Sequence, residues 1–297
     1  MTVRKFGVFG YPISHSLSPA MHTAAFFALK MTDCVYEAYA VLPEELKETV
    51  LKAQADGFRG LNLTIPHKEK ILESGLIKPD SFAKKVGAVN TLLFEEDGIY
   101  GFNTDAAGAL AALKTAGADP AGKNILIIGA GGAARSISFL FGEQRNAVRI
   151  INRTAEKAQR LAAEIAKKTG NRNVSGSGFS TGWEDLAQAD ILLQTTELGM
   201  GKYEDVSFFD QLELPAGKTK EEMIQACLKD QAVAFDIVYN PRETKFLKDA
   251  KKAGAKTVNG VMMLVYQGAL AFEIWTGQKP DVTVMEEAVL RGLERKE

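Results

Sequence analysis

The stretch Gly129-Ala130-Gly131-Gly132-Ala133-Ala134 joins an apolar run to a helical pattern. A strand, a Gly-x-Gly-x-x-Ala turn and a helix in succession are typical of a dinucleotide-binding fold. Gly129 permits the tight turn, Gly131 lets the backbone approach a pyrophosphate, and Ala134 lets the helix pack near the sheet. The helix N-terminus attracts the phosphates. The turn alone is a weak signal, but with its flanking elements it predicts a dinucleotide site at residues 129–133.

The segment after the next predicted strand indicates which dinucleotide binds. Enzymes that use NAD usually carry Asp or Glu about 20 residues after the glycine turn, and this acid binds the ribose 2′-hydroxyl. This chain has Asn152-Arg153-Thr154 there, and Lys157 follows one helical turn later. Arg153 and Lys157 could bind a 2′-phosphate, with Thr154 as helix cap and phosphate donor. We therefore expect NADP (NADPH), with Asn152 in the same site. The alternative is that Arg153 is a solvated cation, and Glu156 nearby weakens the charge argument.

Short apolar runs alternate with helical patterns outward from this turn. Strands are predicted at residues 6–9, 35–40, 60–65, 88–94, 98–102, 124–128, 148–151, 191–194 and 232–238. Helices are predicted at residues 20–30, 46–56, 103–116, 133–143, 155–169 and 261–277, and a Gly/Ser loop at residues 171–182. This order predicts an α/β fold with a parallel sheet covered on both faces. We expect a discontinuous substrate-binding α/β domain (residues 1–104 and 260–297) and an NADP-binding Rossmann domain (residues 105–259).

Composition and charge narrow the class of protein. The chain has 297 residues, 46% apolar and 25% charged, which suits two globular domains. The formal net charge of −1 favours neither nucleic acid nor an anionic membrane, so we expect a small-molecule partner. Residues 261–275 are too short an apolar run to cross a bilayer, and residues 1–9 indicate a first strand in place of a signal peptide. The two cysteines and three histidines show no metal or redox spacing. We expect a cytoplasmic protein without a metal, either a monomer or a homodimer.

Polar side chains recur at predicted strand ends and helix starts, where open α/β sheets bind their ligands. Ser16 and Ser18 lie in a Pro-bounded loop before a helix. If the loop is extended, both hydroxyls point the same way and could receive a carboxylate, although such loops are usually caps and turns. The other polar groups of this kind are Asn62, Thr64, Lys68, Asn90 and Asp105.

Eight blocks, taken in order, carry a resemblance to a known family. They are Ser16-Leu17-Ser18-Pro19, Asn62-Leu63-Thr64-Ile65-Pro66-His67-Lys68, Gly87-Ala88-Val89-Asn90-Thr91, Asn103-Thr104-Asp105, the glycine turn, Asn152-Arg153-Thr154, Tyr239-Asn240-Pro241 and Tyr266-Gln267-Gly268-Ala269. Together they resemble the shikimate dehydrogenase family over nearly the whole chain. Each block is short, but so many in the right order are highly specific.

The resemblance implies a reversible hydride transfer between NADPH and 3-dehydroshikimate, which gives shikimate. It implies that Ser16, Ser18 and Tyr239 hold the substrate carboxylate. It implies that Thr64, Asn90 and Gln267 bind the ring hydroxyls. It also implies that Lys68 and Asp105 transfer the proton. Ile237 and Gly260 are assigned to the cofactor site on the same ground.

The chemistry of hydride transfer also requires a proton donor such as Lys68. Hydride transfer to a ring carbonyl needs one proton donor at the oxygen, and a lysine ammonium is a ready acid. A neighbouring Asp105 favours the charged form of Lys68, so we expect Lys68 to give its proton during ketone reduction. The alternatives are that Lys68 is a solvated cation and that Gln267 is an internally satisfied amide. His67, beside Lys68, is the histidine expected to be able to reach the site.

Four positions depart from the family pattern: Ala106, Gln194, Glu197 and Met262, the last expected near the nicotinamide. Three other functions stay open. A quinate/shikimate dehydrogenase that uses NAD(P) is opposed by Arg153, Lys157 and Ser18, and an aminoshikimate enzyme is a more distant variant. A non-catalytic NADP-binding sensor is opposed by the presence of both Lys68 and Asp105, which a sensor need not keep.

Overall fold

Two six-stranded sheets, each in its own unit of the chain, organise the computed structural model of the protein. The structure describes residues 3–295. The first unit comprises residues 1–108 and 264–297, and the second unit comprises residues 109–263. The extreme residues of the predicted substrate-binding domain, 1–2 and 296–297, lie outside the described part.

The first unit carries a mixed sheet. Its elements are β1 (Arg4–Gly10), α1 (Ser18–Ala28), β2 (Cys34–Ala40), α2 (Leu46–Ala55), β3 (Phe58–Leu63), α3 (His67–Glu73), β4 (Ile77–Pro79), α4 (Ser81–Val86), β5 (Thr91–Glu95) and β6 (Gly98–Phe102). The strand order is β2-β1-β3-β5-β6-β4. Strand β5 is antiparallel to both β3 and β6. Strands β3 and β6 therefore both end at the edge of the sheet where β5 begins. Strand β1 runs parallel to β3 and ends there too.

The second unit carries an all-parallel sheet, as predicted. After α5 (Asp105–Thr115), its elements are β7 (Asn124–Ile128), α6 (Gly132–Glu143), β8 (Ala147–Ile151), α7 (Ala155–Thr169), β9 (Val174–Ser177), α8 (Gly182–Gln188), β10 (Ile191–Gln194), α9 (Lys220–Cys227), β11 (Val233–Asp236), α10 (Lys245–Lys252) and β12 (Lys256–Val258). The strand order is β12-β11-β10-β7-β8-β9. The chain therefore reverses its winding between β7 and β10, and open α/β sheets bind ligands at the carboxyl ends of such strands.

The last two helices, α11 (Val261–Thr276) and α12 (Val282–Glu294), complete the fold. Trp275 of α11 packs directly on β3, where a Cβ on Gly60 would lie 2.3 Å from the indole. The same indole donates a hydrogen bond to the Leu92 carbonyl at 2.9 Å. Gly60 is thus required for the close approach of this helix to the sheet. Within the described residues, no helix combines the length and apolarity that a membrane span needs.

Two expectations about local structure are wrong. Residues 171–182 are not a loop, because they contain β9, which pairs in parallel with β8. Gly176 makes this strand resemble a loop in sequence, but it is needed for packing, since a Cβ there would lie 2.3 Å from the Ala158 carbonyl oxygen. Ser16 and Ser18 do not share an extended stretch either. Pro19 occupies the first turn of α1, so the helix begins at Ser18, and Leu17 is already in the right-handed helical region.

Candidate active site

Lys68 and Asp105 form an ion pair at the edge of the first unit's sheet. Lys68 follows β3 in the first turn of α3, and Asp105 is the first residue of α5, after β6. The Lys68 Nζ lies 2.6 Å from Asp105 Oδ2. The side chains are only 16% and 5% exposed, so little water screens their interaction. The polar edge predicted from the sequence therefore brings the two proton-handling candidates into direct contact.

Asn90, the residue directly before β5, joins this pair. Its Nδ2 donates to Asp105 Oδ1 at 2.9 Å and to Thr104 Oγ1 at 2.9 Å. Its Oδ1 accepts from the Thr104 backbone N–H at 2.9 Å. Both carboxylate oxygens of Asp105 thus have donors, one from Lys68 and one from Asn90. This arrangement holds the carboxylate in one orientation and keeps it a hydrogen-bond acceptor.

Gln267 reaches the same cluster from α11. Its Nε2 donates to the Leu264 carbonyl at 2.8 Å, and its Oε1 accepts from Asn90 Nδ2 at 3.4 Å. Gln267 as a whole is half-buried. Its position agrees with the expectation of a polar group that has found partners inside an apolar helix.

Thr64, Ser16 and Ser18 follow the ends of neighbouring strands. Thr64 comes directly after β3, and among residues 3–295 its hydroxyl makes no hydrogen bond, which leaves it available to a ligand. The Ser16 Oγ accepts from the Ser18 backbone N–H at 3.3 Å. Ser18 is 7% exposed.

His67 does not take part in this cluster. Its ring is fully buried, and Nε2 lies 2.9 Å from the Val41 carbonyl oxygen, to which it donates. Burial lowers the pKa of this imidazole, followed in size by the opposing effect of the Val41 hydrogen bond. The expectation that His67 could reach the site is therefore wrong; the ring is committed to the backbone of the loop after β2.

The glycine turn lies at the carboxyl end of β7, at the switch in strand winding. Gly129 has a φ of +114°, and a Cβ there would lie 2.7 Å from Thr195 Oγ1, so only glycine fits. A Cβ on Gly131, in contrast, would meet nothing within 4 Å. Gly131 is the N-cap of α6, with no side-chain cap and no acidic residue in the first turn. An open backbone surface with unpaired N–H groups therefore faces outward, as phosphate binding requires.

The residues predicted to bind the 2′-phosphate follow β8. Asn152 Nδ2 donates to the Thr154 carbonyl at 3.0 Å, which shapes the turn into α7. Arg153 and Lys157 are exposed, and within residues 3–295 neither forms an ion pair. Thr154 is the N-cap of α7, but its side chain makes no capping hydrogen bond. The Thr154 hydroxyl is therefore available for a hydrogen bond to another group.

Ile237 and Gly260 also meet in the second unit. A Cβ on Gly260 would lie 2.1 Å from the Ile237 carbonyl oxygen, and the Gly260 N–H donates to the Val238 carbonyl at 3.1 Å. Tyr239 is half-buried in the loop that follows. Of the four departures from the family pattern, Ala106 and Gln194 are fully buried, Met262 is half-buried and Glu197 is exposed.

Sequence reasoning did not assign several polar residues that hold the site. Thr91 and Thr104 hydrogen-bond Asn90, and Thr195 packs against Gly129. Thr91 and Thr104 lie inside the blocks quoted for the resemblance, so their position beside Asn90 and Asp105 was the available signal. Across residues 3–295, no group of three or more His, Cys, Asp or Glu side chains could hold a metal ion.

Comparison with known proteins agrees with this geometry. The model of the shikimate dehydrogenase substrate binding domain matches residues 8–92, that of shikimate / quinate 5-dehydrogenase matches residues 110–199, and that of the shikimate 5'-dehydrogenase C-terminal domain matches residues 260–290. Shikimate dehydrogenase (NADP(+)) from Methanosarcina mazei is 47% identical over 290 residues, which are 97% of this chain and 98% of that protein.

Solved structures agree in fold over the same length. A shikimate dehydrogenase crystallised with NADP+ is 41% identical, with a TM-score of 0.84 over 99% of this chain and 98% of the other. Shikimate 5-dehydrogenase from Thermus thermophilus, in complex with NADP(H) and shikimate, is 37% identical, with a TM-score of 0.82 over 98% and 100% of the two chains. The chain therefore belongs to the shikimate dehydrogenase family.

Proposed function

We propose that this protein is an NADP-dependent shikimate dehydrogenase, which interconverts 3-dehydroshikimate and shikimate. The observation that carries the proposal is the ion pair of Lys68 and Asp105 at 2.6 Å, with Asn90 and Gln267 beside it. A charged ammonium next to uncharged hydrogen-bonding groups suits a polyhydroxylated ring that gains or loses one proton.

Lys68 acts as the general acid in ketone reduction. Its Nζ is held by Asp105, so the ammonium stays in one place and can donate to the oxygen that becomes an alkoxide. NADPH, when bound, supplies the hydride to the carbonyl carbon. The Lys68 proton completes the hydroxyl, and the partly exposed amine regains a proton from water. In the reverse direction the neutral amine accepts the hydroxyl proton.

Substrate binding falls to the polar groups at the strand ends. Ser16, Ser18 and Tyr239 hold the carboxylate, while Thr64, Asn90 and Gln267 bind the ring hydroxyls. The free hydroxyl of Thr64 and the contact of the half-buried Gln267 with Asn90 support these roles. The hydrogen-bonding groups of Thr64, Asn90 and Gln267 also favour a ring with several donors and acceptors over a simple apolar ketone.

The residues of the second unit fit NADP. The open surface at Gly131 and the uncapped start of α6 would hold the pyrophosphate, together with Gly129, Ala130, Gly132 and Ala133. Arg153, Lys157 and the Thr154 hydroxyl would bind the 2′-phosphate, with Asn152 fixing their turn. Ile237 and Gly260 would line the nicotinamide end.

An assay of shikimate and quinate against NADP and NAD tests this function. We expect shikimate with NADP to give the highest kcat/KM. A preference for quinate with NAD would favour a quinate dehydrogenase and would overturn the role of Arg153. Absence of turnover with every pair would favour the NADP-binding sensor.

We also propose a cytoplasmic location, a monomer or homodimer, and no nucleic-acid partner. Cys34 and Cys227 are both free thiols, as a reducing compartment favours. The formal net charge of −1 gives no general attraction to nucleic acid.

A further inference from the structure

A directional chain of hydrogen bonds runs through the first unit from Tyr36 to Asn90. Tyr36 Oη donates to Asn62 Oδ1 at 2.7 Å. Asn62 Nδ2 donates to the Asn90 carbonyl and to Thr91 Oγ1, both at 3.2 Å. The Thr91 hydroxyl in turn donates to Asn90 Oδ1 at 3.0 Å. Donors and acceptors therefore alternate without conflict along the chain.

The middle of this chain is sealed from solvent. Tyr36 is 4% exposed, Asn62 6% and Thr91 0%. The Tyr36 ring is stacked on His22, with centroids 4.4 Å apart and planes 13° apart, so it has one orientation. Burial raises the pKa of the Tyr36 phenol well above its ordinary value, which keeps the hydroxyl protonated as a donor. A buried polar group that loses its hydrogen-bond partner is costly, so the loss of one hydrogen bond destabilises the positions of the neighbouring groups.

We propose that Tyr36 is a positioning residue that fixes Asn90 in the substrate site, through Asn62. This inference rests on the proposed function, which assigns Asn90 to a ring hydroxyl. Tyr36 itself comes from β2 and acts on the substrate only through these residues.

The direction of the chain explains why one hydroxyl matters. Without the Tyr36 hydroxyl, Asn62 Oδ1 is left buried with no donor. A flip of the Asn62 amide would not repair this, because its oxygen would then face the Asn90 carbonyl oxygen. Asn90 would lose its fixed position, and with it the orientation of the Nδ2 group that contacts Asp105.

The variant Tyr36→Phe removes this one hydroxyl and keeps the ring. We expect kcat/KM for shikimate to fall about tenfold, the size of one or two buried hydrogen bonds, while KM for NADP stays within about twofold. Tyr39→Phe is the matched control, since Tyr39 lies on the same strand and its hydroxyl bonds Glu37 at the surface. The control should keep wild-type kinetics.

A double-variant cycle with Asn62→Ala separates positioning from a general loss of stability. If Tyr36 acts through Asn62, the two losses in kcat/KM will be less than additive, and thermal unfolding will show the variants folded at the assay temperature. Wild-type kinetic constants for Tyr36→Phe, or full additivity with Asn62→Ala, would overturn the inference. Failure of the wild-type protein to oxidise shikimate would instead overturn the proposed function.

Discussion

Lys68 Nζ and Asp105 Oδ2 lie 2.6 Å apart although 37 positions separate them in the chain. The contact exists because β3 and β6 end at the same edge of the sheet, with the start of β5 between them. Asn90 lies directly before β5 and donates to the second oxygen of Asp105. The sheet topology, more than any local motif, therefore assembles the proton-transfer group.

Replacing Lys68 tests its proposed role as the proton donor. Lys68→Ala should lower kcat by roughly 10²-fold or more, with KM for shikimate nearly kept, because only the proton transfer is removed. Steady-state kinetics with shikimate and NADP would measure this. Lys70→Ala, an exposed lysine of the same helix, should behave as wild type. A rise in KM alone for Lys68→Ala would assign the residue to substrate positioning.

Arg153→Ala tests the choice of NADP. Removing a charge-assisted hydrogen bond to the 2′-phosphate should raise KM for NADP by about 10- to 100-fold and leave kcat and KM for shikimate nearly unchanged. Activity with NAD should not fall, since NAD has no 2′-phosphate. Arg160→Ala on the outer face of α7 is the matched control. Equal effects of Arg153→Ala on NADP and NAD would contradict the assignment.

The parallel sheet of the second unit was predictable from the sequence for a physical reason. Its central strands β7, β8 and β10 are largely buried, so they have the sequence pattern of short apolar runs between helices. Strand β9 escaped prediction because the requirement at Gly176 is close backbone packing, which lowers the apolar content. The short helices α3, α4 and α8–α10 were also missed, since six to eight residues give too little periodicity to distinguish a helix.

The candidate site was predictable only in part. Lys68, Asn90 and Asp105 lie in blocks that end strands or start helices, and topology alone is enough to bring them together. The link from Tyr36 to Asn62 spans 26 positions and joins two strands of the same sheet through a side chain that reads as ordinary core. Nothing in the local pattern distinguishes that tyrosine from Tyr39, whose hydroxyl points to the surface.

Asp236 gives the folded protein a pH dependence near neutrality. Its carboxylate is fully buried at the end of β11, where it accepts from Thr244 Oγ1 at 2.6 Å and from the Val238 N–H at 3.0 Å. Burial raises its pKa from 3.8 to about 7, against the opposing effect of these two hydrogen bonds. The folded state therefore binds a proton that the unfolded chain has already released, and stability from this group falls as pH rises from about 4 to about 7.

The variant Asp236→Asn removes this titration. Since one pKa unit corresponds to about 1.4 kcal/mol, the difference in unfolding free energy between wild type and variant should change by about 4 kcal/mol across that range. Urea unfolding at a series of pH values measures it. Asp230→Asn, at an exposed aspartate, should keep the wild-type pH profile. A difference curve that is flat between about pH 4 and pH 7 would show that Asp236 titrates normally.

His22 has the opposite effect on the pH dependence of the unfolding free energy, in the acid range. Neither ring nitrogen has a hydrogen-bond partner among residues 3–295, and the ring is fully buried against Tyr36 and Trp275. Burial lowers its pKa from 6.5 to about 3, so the folded protein keeps the ring neutral. The unfolded chain takes up a proton as pH falls below about 6.5, and stability is lost progressively down to about pH 3.

His22→Phe should remove about 5 kcal/mol of this acid-side loss, because phenylalanine can stack on Tyr36 and cannot be protonated. The slope of unfolding free energy against pH is the quantity to measure, since any packing cost of the larger ring shifts the whole curve without changing its shape. His15→Gln, at an exposed histidine, serves as control and should leave the slope nearly unchanged. An unaltered slope in His22→Phe would mean that His22 is protonated in the folded protein, and the unpartnered ring nitrogens would then have to find an anion or water that stabilises the charge.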